Sequence, residues 1–553
     1  METPPSAAPT HATVTTGVAT GPSAGLTPGS AARIGVYGWG VVAPGARDVG
    51  ALLALLKSGR TALAASERPE LGSGLFAIGD PDFSLSDYEG WIAARHGDPY
   101  LARMRTKMGE NVQFAVGAAI QALQSDPRLE GLIRGLDDAC QVFIGSGVSD
   151  LPESYRASAT LERALRVWNH FWAQPAHCGA RRRFESERAV PPGAALPTDP
   201  ASLPLDTEER ADALHVWDGF WAARSDELRA FLARFAAIEQ LVADDEDHEK
   251  AHLNAIRKRV KAHRALIDEV GCPPPPWTAV SPNLIWNIQN APAAQITMLL
   301  NIHGAAWAPV GACSTFGVAL KCGRDAILRG EAKMAIVGTT DPRPDAALVG
   351  AFHAARVMPG IGEVNMPFTS LRGTHVSGGA CMWIIGDAGW CEAQGLKPVG
   401  GYVEAVALSS DAEHIITPST SGPRRAIARA YAEAGITGAD VSILDLHATG
   451  TPGDLNELML VDGYMGESTR VTARKGQLGH GMANSGGWEL TALALGLAEG
   501  VALPTGIPAG DVHARISCPG AIVSDQAPLA GDVGVKLMLG IGGLTACVVL
   551  RRS

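Results

Sequence analysis

The stretch Pro309–Gly338, PVGACSTFGVALKCGRDAILRGEAKMAIVG, places a cysteine among small residues, directly before an amphipathic run. Small residues allow a tight turn from a strand into a helix, because a bulky side chain there would meet the backbone. A cysteine at the N-terminus of a helix lies at the positive end of the helix dipole, which favours thiolate over thiol. Cys313 is therefore either a nucleophile or a small core residue, and the rest of the chain has to distinguish the two.

The composition of the chain excludes several classes of function. Its 553 residues are 46% hydrophobic and 19% charged, which is typical of a globular protein with a sizeable core. A formal net charge of -11 argues against a nucleic-acid partner. None of the nine cysteines is spaced as C-x2-C, so we expect no structural zinc site, and their odd number favours a reducing compartment.

Targeting signals and cofactor motifs are not found in the sequence either. The first 30 residues have no basic segment followed by an apolar core, so we expect no signal peptide. No apolar run is long enough to cross a bilayer. The glycine turns GSG and GIGG lack the spacing of a dinucleotide fingerprint or a phosphate loop. We therefore expect a cytoplasmic protein with no membrane partner and no cofactor.

Short apolar strands alternate with helices over most of the chain, which predicts a layered α/β architecture. Residues 1–32 are rich in Thr, Ala, Pro and Gly and are predicted to be a disordered tail. The segment DVGALLALLKSGR has the pattern of a helix. The predicted strands lie in RIGVYGWGVVAPG, CQVFIGSG, AKMAIVGTTD, VSILDLHATGT and, as a pair separated by glycines, VGVKLMLGIGGLTACVVLRR.

Residues 152–276 differ in composition from the rest of the chain, with a higher density of charged residues and of tryptophan. Apolar residues recur at heptad-like spacing from Leu214 to Val242 and again from Leu253 to Val270, which predicts an antiparallel helical hairpin. The predicted turn lies near Ala243–Asp247, and the prolines of GCPPPP end the second helix. The similar segments RVWNHFWA and HVWDGFWA supply tryptophans that we interpret as packing residues rather than a ligand cage.

Two later segments contain residues that could act together with Cys313 in catalysis. LHATGTPGDLNELML places His447 just after an apolar strand, and ARKGQLGHGMANSGG holds Lys475 and His480 between glycines. A single histidine in such a loop is more often structural than catalytic. Here two histidines, each in a glycine-rich loop, accompany a candidate cysteine. Such a set of residues is typical of a site for nucleophilic catalysis.

Four segments, in this order, resemble the motifs of the β-ketoacyl synthases of the elongating, two-histidine type: GACSTF, LHATGTPGDLNE, RKGQLGH and LGIGGLTA. The resemblance covers Arg33 to about Leu151 and about Thr278 to Leu550. It implies the thiolase fold, an α/β architecture of two pseudo-repeated αβαβα halves in five layers. The expected halves are residues 33–396, interrupted by the helical insertion 152–276, and residues 397–553.

The resemblance also implies a role for each site residue. Cys313 would hold an acyl chain as a thioester, while neutral His447 and His480 would bind the carbonyl of a malonyl thioester. Lys475 would orient the site by hydrogen bonding with Glu457. The backbone N–H groups of Cys313 and Ile541 would form the oxyanion hole. The remaining supporting positions are Asp454, Thr449, Thr451, Asn484 and Ser485.

The family implies further expectations about partners: an acyl carrier protein, acyl and malonyl thioesters as substrates, a homodimer, and no metal. Several positions depart from the family pattern. Ile541 stands where a gating phenylalanine is usual, Gly311 replaces a threonine, and Ser377–Gly379 is a degenerate motif. Asn484 and Ser485 replace a small apolar pair and are expected to place hydrogen-bonding groups near the site. These departures favour a specialised natural-product enzyme.

Three hypotheses about activity stay open at the level of the sequence. The first is decarboxylative condensation with a malonyl-type thioester after loading of Cys313, in polyketide or fatty-acid-like biosynthesis. The second keeps the loading step but performs acyl transfer or an intramolecular aldol-type cyclisation without elongation, as in the formation of a natural-product bicycle. The third is a non-catalytic partner like a chain-length factor, which the retained Cys313, His447, Lys475 and His480 disfavour.

Overall fold

The computed structural model describes residues 33–191, 193, 195–241, 248–360, 362–412 and 419–553. The predicted tail, residues 1–32, and the predicted turn at Ala243–Asp247 lie outside the described residues. The strands are β1 (Ile34–Val42), β2 (Ala64–Ala65), β3 (Ala77–Ile78), β4 (Cys140–Gly145), β5 (Ala306–Trp307), β6 (Met334–Asp341), β7 (Gly379–Asp387), β8 (Tyr402–Ser410), β9 (Val441–Asp445), β10 (Arg470–Thr472), β11 (Val501–Ala502), β12 (Ala527–Pro528), β13 (Val533–Gly540) and β14 (Leu544–Arg551).

Helices account for most of the other described residues, and none of those described is long and apolar enough to span a membrane. They are α1 (Val49–Ser58), α2 (Ser86–Lys107), α3 (Glu110–Gln124), α4 (Leu129–Leu136), α5 (Leu151–Ala173), α6 (Gly179–Glu187), α7 (Glu208–Ala222), α8 (Asp226–Glu239), α9 (His248–Val270), α10 (Ala291–Leu300), α11 (Thr315–Leu328), α12 (Ala346–Ala354), α13 (Ala388–Ala393), α14 (Ser421–Ala434), α15 (Gly453–Val461), α16 (Lys475–Leu478) and α17 (Ser485–Glu499).

The main sheet consists of two five-stranded halves with the same internal order. One half runs β1-β7-β6-β4-β5, the other runs β8-β14-β13-β9-β10, and a single pairing of Gly35 with Tyr402 joins them. In each half the first three strands are antiparallel neighbours and the last three are parallel neighbours. This repetition is the pseudo-repeat that the sequence resemblance implies.

Helices α11 and α17 form the central layer between the two halves of the sheet. Helix α11 contacts β4, β6 and β7 of one half and β8 and β14 of the other, and α17 contacts β7, β9 and β13. Both helices are buried on almost every side because they face a sheet in both directions. Helices α3 and α10 cover the outer face of the first half, and α14 covers the second. The five layers expected of the thiolase fold are therefore present.

The strands predicted from apolar runs are confirmed as β1, β4, β6, β9, β13 and β14, and the helix predicted at DVGALLALLKSGR is α1. Strands buried on both faces read as continuous apolar runs, which explains why these segments were recognisable. Every residue of β6 is buried, and seven of the eight residues of β13 are. The division of the chain at residues 396 and 397 stays a prediction.

The helical segment between β4 and β5 differs in one respect from its prediction. The seam expected to run unbroken from Leu214 is two helices, because α7 ends at Ala222 and Ser225 caps α8 by accepting the Leu228 N–H. The second seam is the single helix α9. Helices α8 and α9 are antiparallel neighbours, with the Phe235 and His263 rings stacked at 3.7 Å and Arg234 paired with Glu269.

The tryptophans of the two similar segments are packing residues, as expected. Trp168 and Trp172 on α5, and Trp217 and Trp221 on α7, are all at most 6% exposed. Successive residues of each pair are one helical turn apart, so their rings contact edge to face at 5.5 Å and 5.7 Å. They belong to two small adjoining cores, separate from the cores around the sheet.

Candidate active site

Cys313 lies in a short 3-10 turn, Ala312–Ser314, directly before α11. Ala312 has a φ of 48°, a left-handed conformation that is uncommon outside glycine and that reverses the chain here. The Thr315 hydroxyl accepts the N–H of Gly311 at 2.9 Å and closes the turn. A Cβ atom on Gly311 would lie 2.8 Å from both Leu544 and Val318, so the threonine that is usual in the family would not fit without movement.

Burial dominates the electrostatics of Cys313. It raises the pKa of the thiol to about 11, although the Lys475 ammonium and hydrogen bonds from the N–H groups of Ile541 and Cys313 lower it. Burial is the largest effect on the thiol, so the protonated form is favoured in the resting site despite the position of Cys313 before α11. The N–H groups of Cys313 and Ile541 both lie close to the sulfur, and the oxyanion hole that they are expected to form stays a prediction. The Ile541 side chain is half-exposed.

His447 and His480 converge on the same point as the cysteine. One ring nitrogen of each imidazole and the Cys313 Sγ all lie within 4.8 Å of one another. The two rings are nearly perpendicular, with centroids 5.4 Å apart. Burial, followed by the charge of Lys475, holds the pKa of both imidazoles well below its ordinary value. Both histidines are therefore neutral at physiological pH.

The hydrogen bonds at Nδ1 fix the tautomer of each histidine. The Lys475 ammonium lies 3.3 Å from Nδ1 of His447, and the Met482 N–H donates to Nδ1 of His480 at 3.1 Å. Because each Nδ1 accepts, the ring proton is assigned to Nε2. Two N–H donors suit a substrate oxygen. A metal ion would need an unprotonated nitrogen, so this arrangement does not favour coordination by the cluster.

Lys475 is held by a carboxylate that the sequence did not indicate. Its ammonium donates to the His447 carbonyl at 2.5 Å and to Oε1 of Glu489 at 2.8 Å. The expected contact with Glu457 is wrong, since Glu457 instead accepts the N–H groups of His447 and Ala448 at 2.6 and 2.8 Å. Burial raises the pKa of Glu457 to about 7. Glu457 thus positions the backbone that carries His447.

Asp454, Thr449 and Thr451 surround the loop after His447. The Asp454 carboxylate accepts N–H groups of Phe368, Thr449 and Gly450, and burial raises its pKa to about 6. The hydroxyls of Thr449 and Thr451 lie 3.0 Å apart on half-buried residues. Asp454 therefore holds the loop, while the two threonines present hydroxyls at its partly exposed side.

Of the expected pair of hydrogen-bonding groups, Ser485 lies beside a site residue and Asn484 does not. Asn484 donates to the carbonyl of Gly379 in β7 at 3.0 Å. The Ser485 hydroxyl accepts the N–H of Gly481 at 2.8 Å and lies 3.4 Å from Nδ1 of His480. Only Ser485 thus contacts a site residue, and it does so behind the ring, on the Nδ1 side. The role of both residues is mainly to close the turn before α17.

The buried charged residues around the site that were not singled out in the sequence include Glu489, Lys536, Asp445 and Asp341. Asp341 accepts the N–H groups of Gly147, Val148 and Ala483, and burial raises its pKa to about 6. The sequence did contain a pattern that could have indicated them, because each is a lone charge in an apolar element. Examples are Glu489 in SGGWELTALALG, Lys536 in VGVKLMLG and Asp445 in VSILDLH. A lone charge in such an element needs a buried partner.

Two domain models of the β-ketoacyl synthase family match the chain. The N-terminal domain model matches residues 273–384, and the C-terminal domain model matches residues 401–506. These ranges contain the cysteine, both histidines and the lysine described above. Over these two ranges the chain is similar to the β-ketoacyl synthase family.

Two curated relatives match only part of their own length. Nodulation protein E of Rhizobium meliloti (strain 1021) is 28% identical over 250 residues, 44% of this chain and 60% of that protein. The 3-oxoacyl-[acyl-carrier-protein] synthase 2 of Staphylococcus aureus (strain COL) is 29% identical over 283 residues, 48% of this chain and 66% of that protein. The chain thus spans 60% to 66% of the length of these relatives.

Solved structures share the fold over almost the whole chain. The ishigamide ketosynthase/chain length factor has a TM-score of 0.63 at 17% identity and covers 95% of this chain and 100% of its own. A β-ketoacyl synthase from Burkholderia phymatum STM815 has a TM-score of 0.64 at 16% identity, covering 94% and 100%. A type II PKS acyl-carrier protein in complex with its ketosynthase bound to the hexaketide has a TM-score of 0.60 at 16% identity, covering 95% and 100%. Such identities establish the thiolase fold alone.

Proposed function

We propose that the protein is a decarboxylating condensing enzyme that joins an acyl chain held on Cys313 to a malonyl-type unit, in polyketide or fatty-acid-like biosynthesis. The observation that supports this most directly is the convergence of the Cys313 sulfur with two neutral imidazoles within 4.8 Å. A nucleophile beside two N–H donors is what an acyl-thioester intermediate followed by an enolate requires. No cofactor takes part in this mechanism.

The loading step transfers an acyl group from a carrier thioester to Cys313. The sulfur attacks the thioester carbonyl, its proton passes to the departing carrier thiolate, and a new carbon–sulfur bond replaces the old one. The N–H groups of Cys313 and Ile541 stabilise the charge that develops on the carbonyl oxygen. Because the resting thiol has a raised pKa, the nucleophile ionises during the reaction rather than before it.

The condensation step uses the two imidazoles. His447 and His480 donate their Nε2 protons as hydrogen bonds to the thioester carbonyl of the malonyl unit, and they stabilise the enolate that forms as carbon dioxide leaves. The enolate carbon attacks the acyl group on Cys313, the chain is transferred to the carrier, and the cysteine sulfur departs. Lys475 touches His447 and holds it in the donating tautomer.

The proposed partners follow from this chemistry and from the relatives. The substrates are acyl and malonyl thioesters of an acyl carrier protein, and a similar ketosynthase structure contains such a carrier. We propose a homodimer, because strand β5 ends the sheet with both residues exposed. The proposed compartment is the cytoplasm. We propose neither nucleic acid nor a membrane as a partner, because the chain has a formal net charge of -11.

Transfer or cyclisation without elongation is kept as the second candidate because one observation favours it. The Ile541 side chain is smaller than the phenylalanine usual in the family and is 52% exposed, so it closes the site less completely. Asn484 and Ser485, which also motivated that hypothesis, lie mainly in the turn before α17. The partner role without catalysis is weakened by the assembled cysteine and histidines.

The test combines loading with extension on the full chain. The purified protein is incubated with a panel of acyl-carrier thioesters and its intact mass is measured, with Cys313→Ala as the control for the nucleophile. Cys322→Ala, which changes a half-buried cysteine on α11, is the control for adventitious thiols. Malonyl-carrier protein is then added and the product is analysed.

The outcomes separate the three hypotheses. An adduct that Cys313→Ala abolishes, followed by a product two carbons longer, supports condensation. An adduct that resolves without malonyl, to a product isomeric with the substrate, supports cyclisation and rejects elongation. No adduct with any thioester rejects both enzymatic hypotheses and returns the chain to a partner role.

A further inference from the structure

A buried chain of alternating charges runs from the active site into the second half of the sheet. Oε1 of Glu489 lies 2.8 Å from the Lys475 ammonium, and Oε2 of the same carboxylate lies 2.7 Å from the ammonium of Lys536. Lys536 also pairs with Asp445 at 2.8 Å, and the Nε of Arg474 lies 3.9 Å from Asp445. All five side chains are at most 3% exposed.

The five residues come from four places in the chain, since Arg474 and Lys475 are consecutive at the start of α16, so the fold itself brings them together. Glu489 lies on α17 and Lys536 on β13, while Asp445 ends β9 just before the loop that carries His447. Lys536 donates to the carbonyl of Leu446, the residue that precedes His447, at 2.9 Å. Lys536 therefore contacts the His447 segment from behind and reaches Lys475 through one shared carboxylate.

The charge on Lys536 is maintained although the residue is fully buried. Burial lowers its pKa, but Asp445 and Glu489 together raise it above the ordinary value for lysine. This charge lowers the pKa of both His447 and His480, although Lys536 contacts neither ring. The titratable groups that act on the two imidazoles are Lys475 and Lys536, each imidazole lies close to the other, and Cys313 Sγ lies within 4.8 Å of a ring nitrogen of each.

We propose that Lys536 is a positioning residue for the condensation, which it assists by holding Glu489 against Lys475 and by keeping the two histidines neutral. With its second oxygen occupied by Lys536, Glu489 stays in place to orient Lys475 on His447. The second ammonium adds a positive potential that disfavours protonated imidazoles. The catalytic meaning of this role rests on the proposed function, but the effect on the histidines does not.

The test replaces Lys536 by methionine, which keeps the length of the side chain and removes the charge. The first measurement is a pH titration of histidine-labelled protein by NMR without substrate, with His447 and His480 assigned through their glutamine variants. Lys321→Met is the matched control, since it removes a lysine that pairs with Asp325 on α11, away from the histidines. The second measurement is the rate of malonyl-carrier decarboxylation against pH.

We expect Lys536→Met to raise the titration midpoint of His447 by about half a pH unit or more. Decarboxylation should fall by about tenfold, with its acidic limb moved to higher pH. Lys321→Met should change neither. Should the single variant fail to fold, Asp445→Asn/Lys536→Met removes the ion pair as a unit, and the same loss of decarboxylation is expected in it.

Unchanged histidine midpoints and an unchanged decarboxylation profile in a folded Lys536 variant would overturn this proposal. A raised midpoint in Lys536→Met together with an unaltered Lys321→Met supports it. A wild-type protein that never decarboxylates malonyl thioesters would reject the proposed function, while the substrate-free titration would still decide whether Lys536 controls the histidines.

Discussion

At the scale of single residues, the site combines a protonated thiol with two imidazoles that cannot easily gain a proton. Both properties have the same cause, because burial penalises the charged form of a cysteine and of a histidine alike. The three reactive groups of the resting site, the thiol and the two imidazoles, are therefore uncharged. Charge develops among them only when a thioester is bound, which is when the surrounding N–H groups act.

The raised pKa of the Cys313 thiol predicts how the free enzyme reacts with an alkylating agent. Because the pKa is about 11, the thiolate fraction should keep rising about tenfold per pH unit up to pH 10. An ordinary cysteine would level off above its pKa of about 8.5. The rate of iodoacetamide labelling of Cys313, followed by peptide mass, measures this. A plateau near pH 8 would show that the thiol is activated in the resting state.

The two imidazoles should be needed for decarboxylation more than for loading. We expect His447→Ala and His480→Ala each to lower malonyl decarboxylation by about 100-fold or more, because each removes one donor to the enolate oxygen. The acyl adduct on Cys313, measured by intact mass, should still form. His303→Ala is the control, since that histidine is exposed and paired with Asp137. Equal loss of both steps would contradict separate roles.

The sequence sufficed to predict which residues form the reactive centre, but not which ones hold it. Cys313, His447, Lys475 and His480 stand in glycine-rich segments whose composition is unusual, and the structure brings them together. Glu489 and Lys536 were missed, because they lie 14 and 61 residues after Lys475 in the sequence, and their ion pairs form only when α17 and β13 pack together. Glu457 was assigned to Lys475 instead of to the backbone.

At the scale of elements, the turns before α11 and α17 are built alike. Ala312 and Met482 both have a positive φ, of 48° and 49°. Each is the first residue of a short 3-10 turn that leads into a central helix. Thr315 and Ser485 accept the equivalent N–H groups of Gly311 and Gly481. Cys313 and Ala483 therefore occupy corresponding positions, and only one half of the pseudo-repeat carries a nucleophile.

The helical insertion has a core of its own, which gives a prediction about stability. Trp221 is fully buried and contacts the rings of Phe184 and Trp217 at 5.2 and 5.7 Å. Trp221→Ala should lower the free energy of unfolding by about 3–5 kcal/mol. Urea unfolding followed by circular dichroism measures this. The Cys313 adduct should persist in buffer, since these contacts are outside the site.

Trp277→Ala is the matched control for that substitution, because Trp277 is 53% exposed. Its smaller buried area should make the loss of stability clearly smaller than at Trp221. Equal losses would mean that the insertion has no separate core. The break between α7 and α8, which the heptad pattern did not predict, follows from a local cap at Ser225 that apolar spacing cannot report.

At the scale of the whole molecule, the two ends of the main sheet differ. At the β10 end, Val471 is buried and the N–H of Val523 donates to its carbonyl, so this edge is covered by the chain itself. At the other end both residues of β5 are exposed, and Met298 on α10 and Val310 beyond β5 are 54% and 56% exposed nearby. An unpaired edge beside apolar side chains is a surface that proteins usually cover.

We expect a second copy of the chain to cover the β5 edge, which gives the last prediction. Met298→Asp should shift the mass measured by light scattering from twice the 57.6 kDa of one chain towards a single chain, because a carboxylate would be buried in the interface. Met459→Asp is the matched control, since Met459 is 59% exposed on α15, away from β5. A wild-type protein of one-chain mass, or dissociation caused equally by both substitutions, would contradict pairing at β5, and the exposed edge would then need another cover.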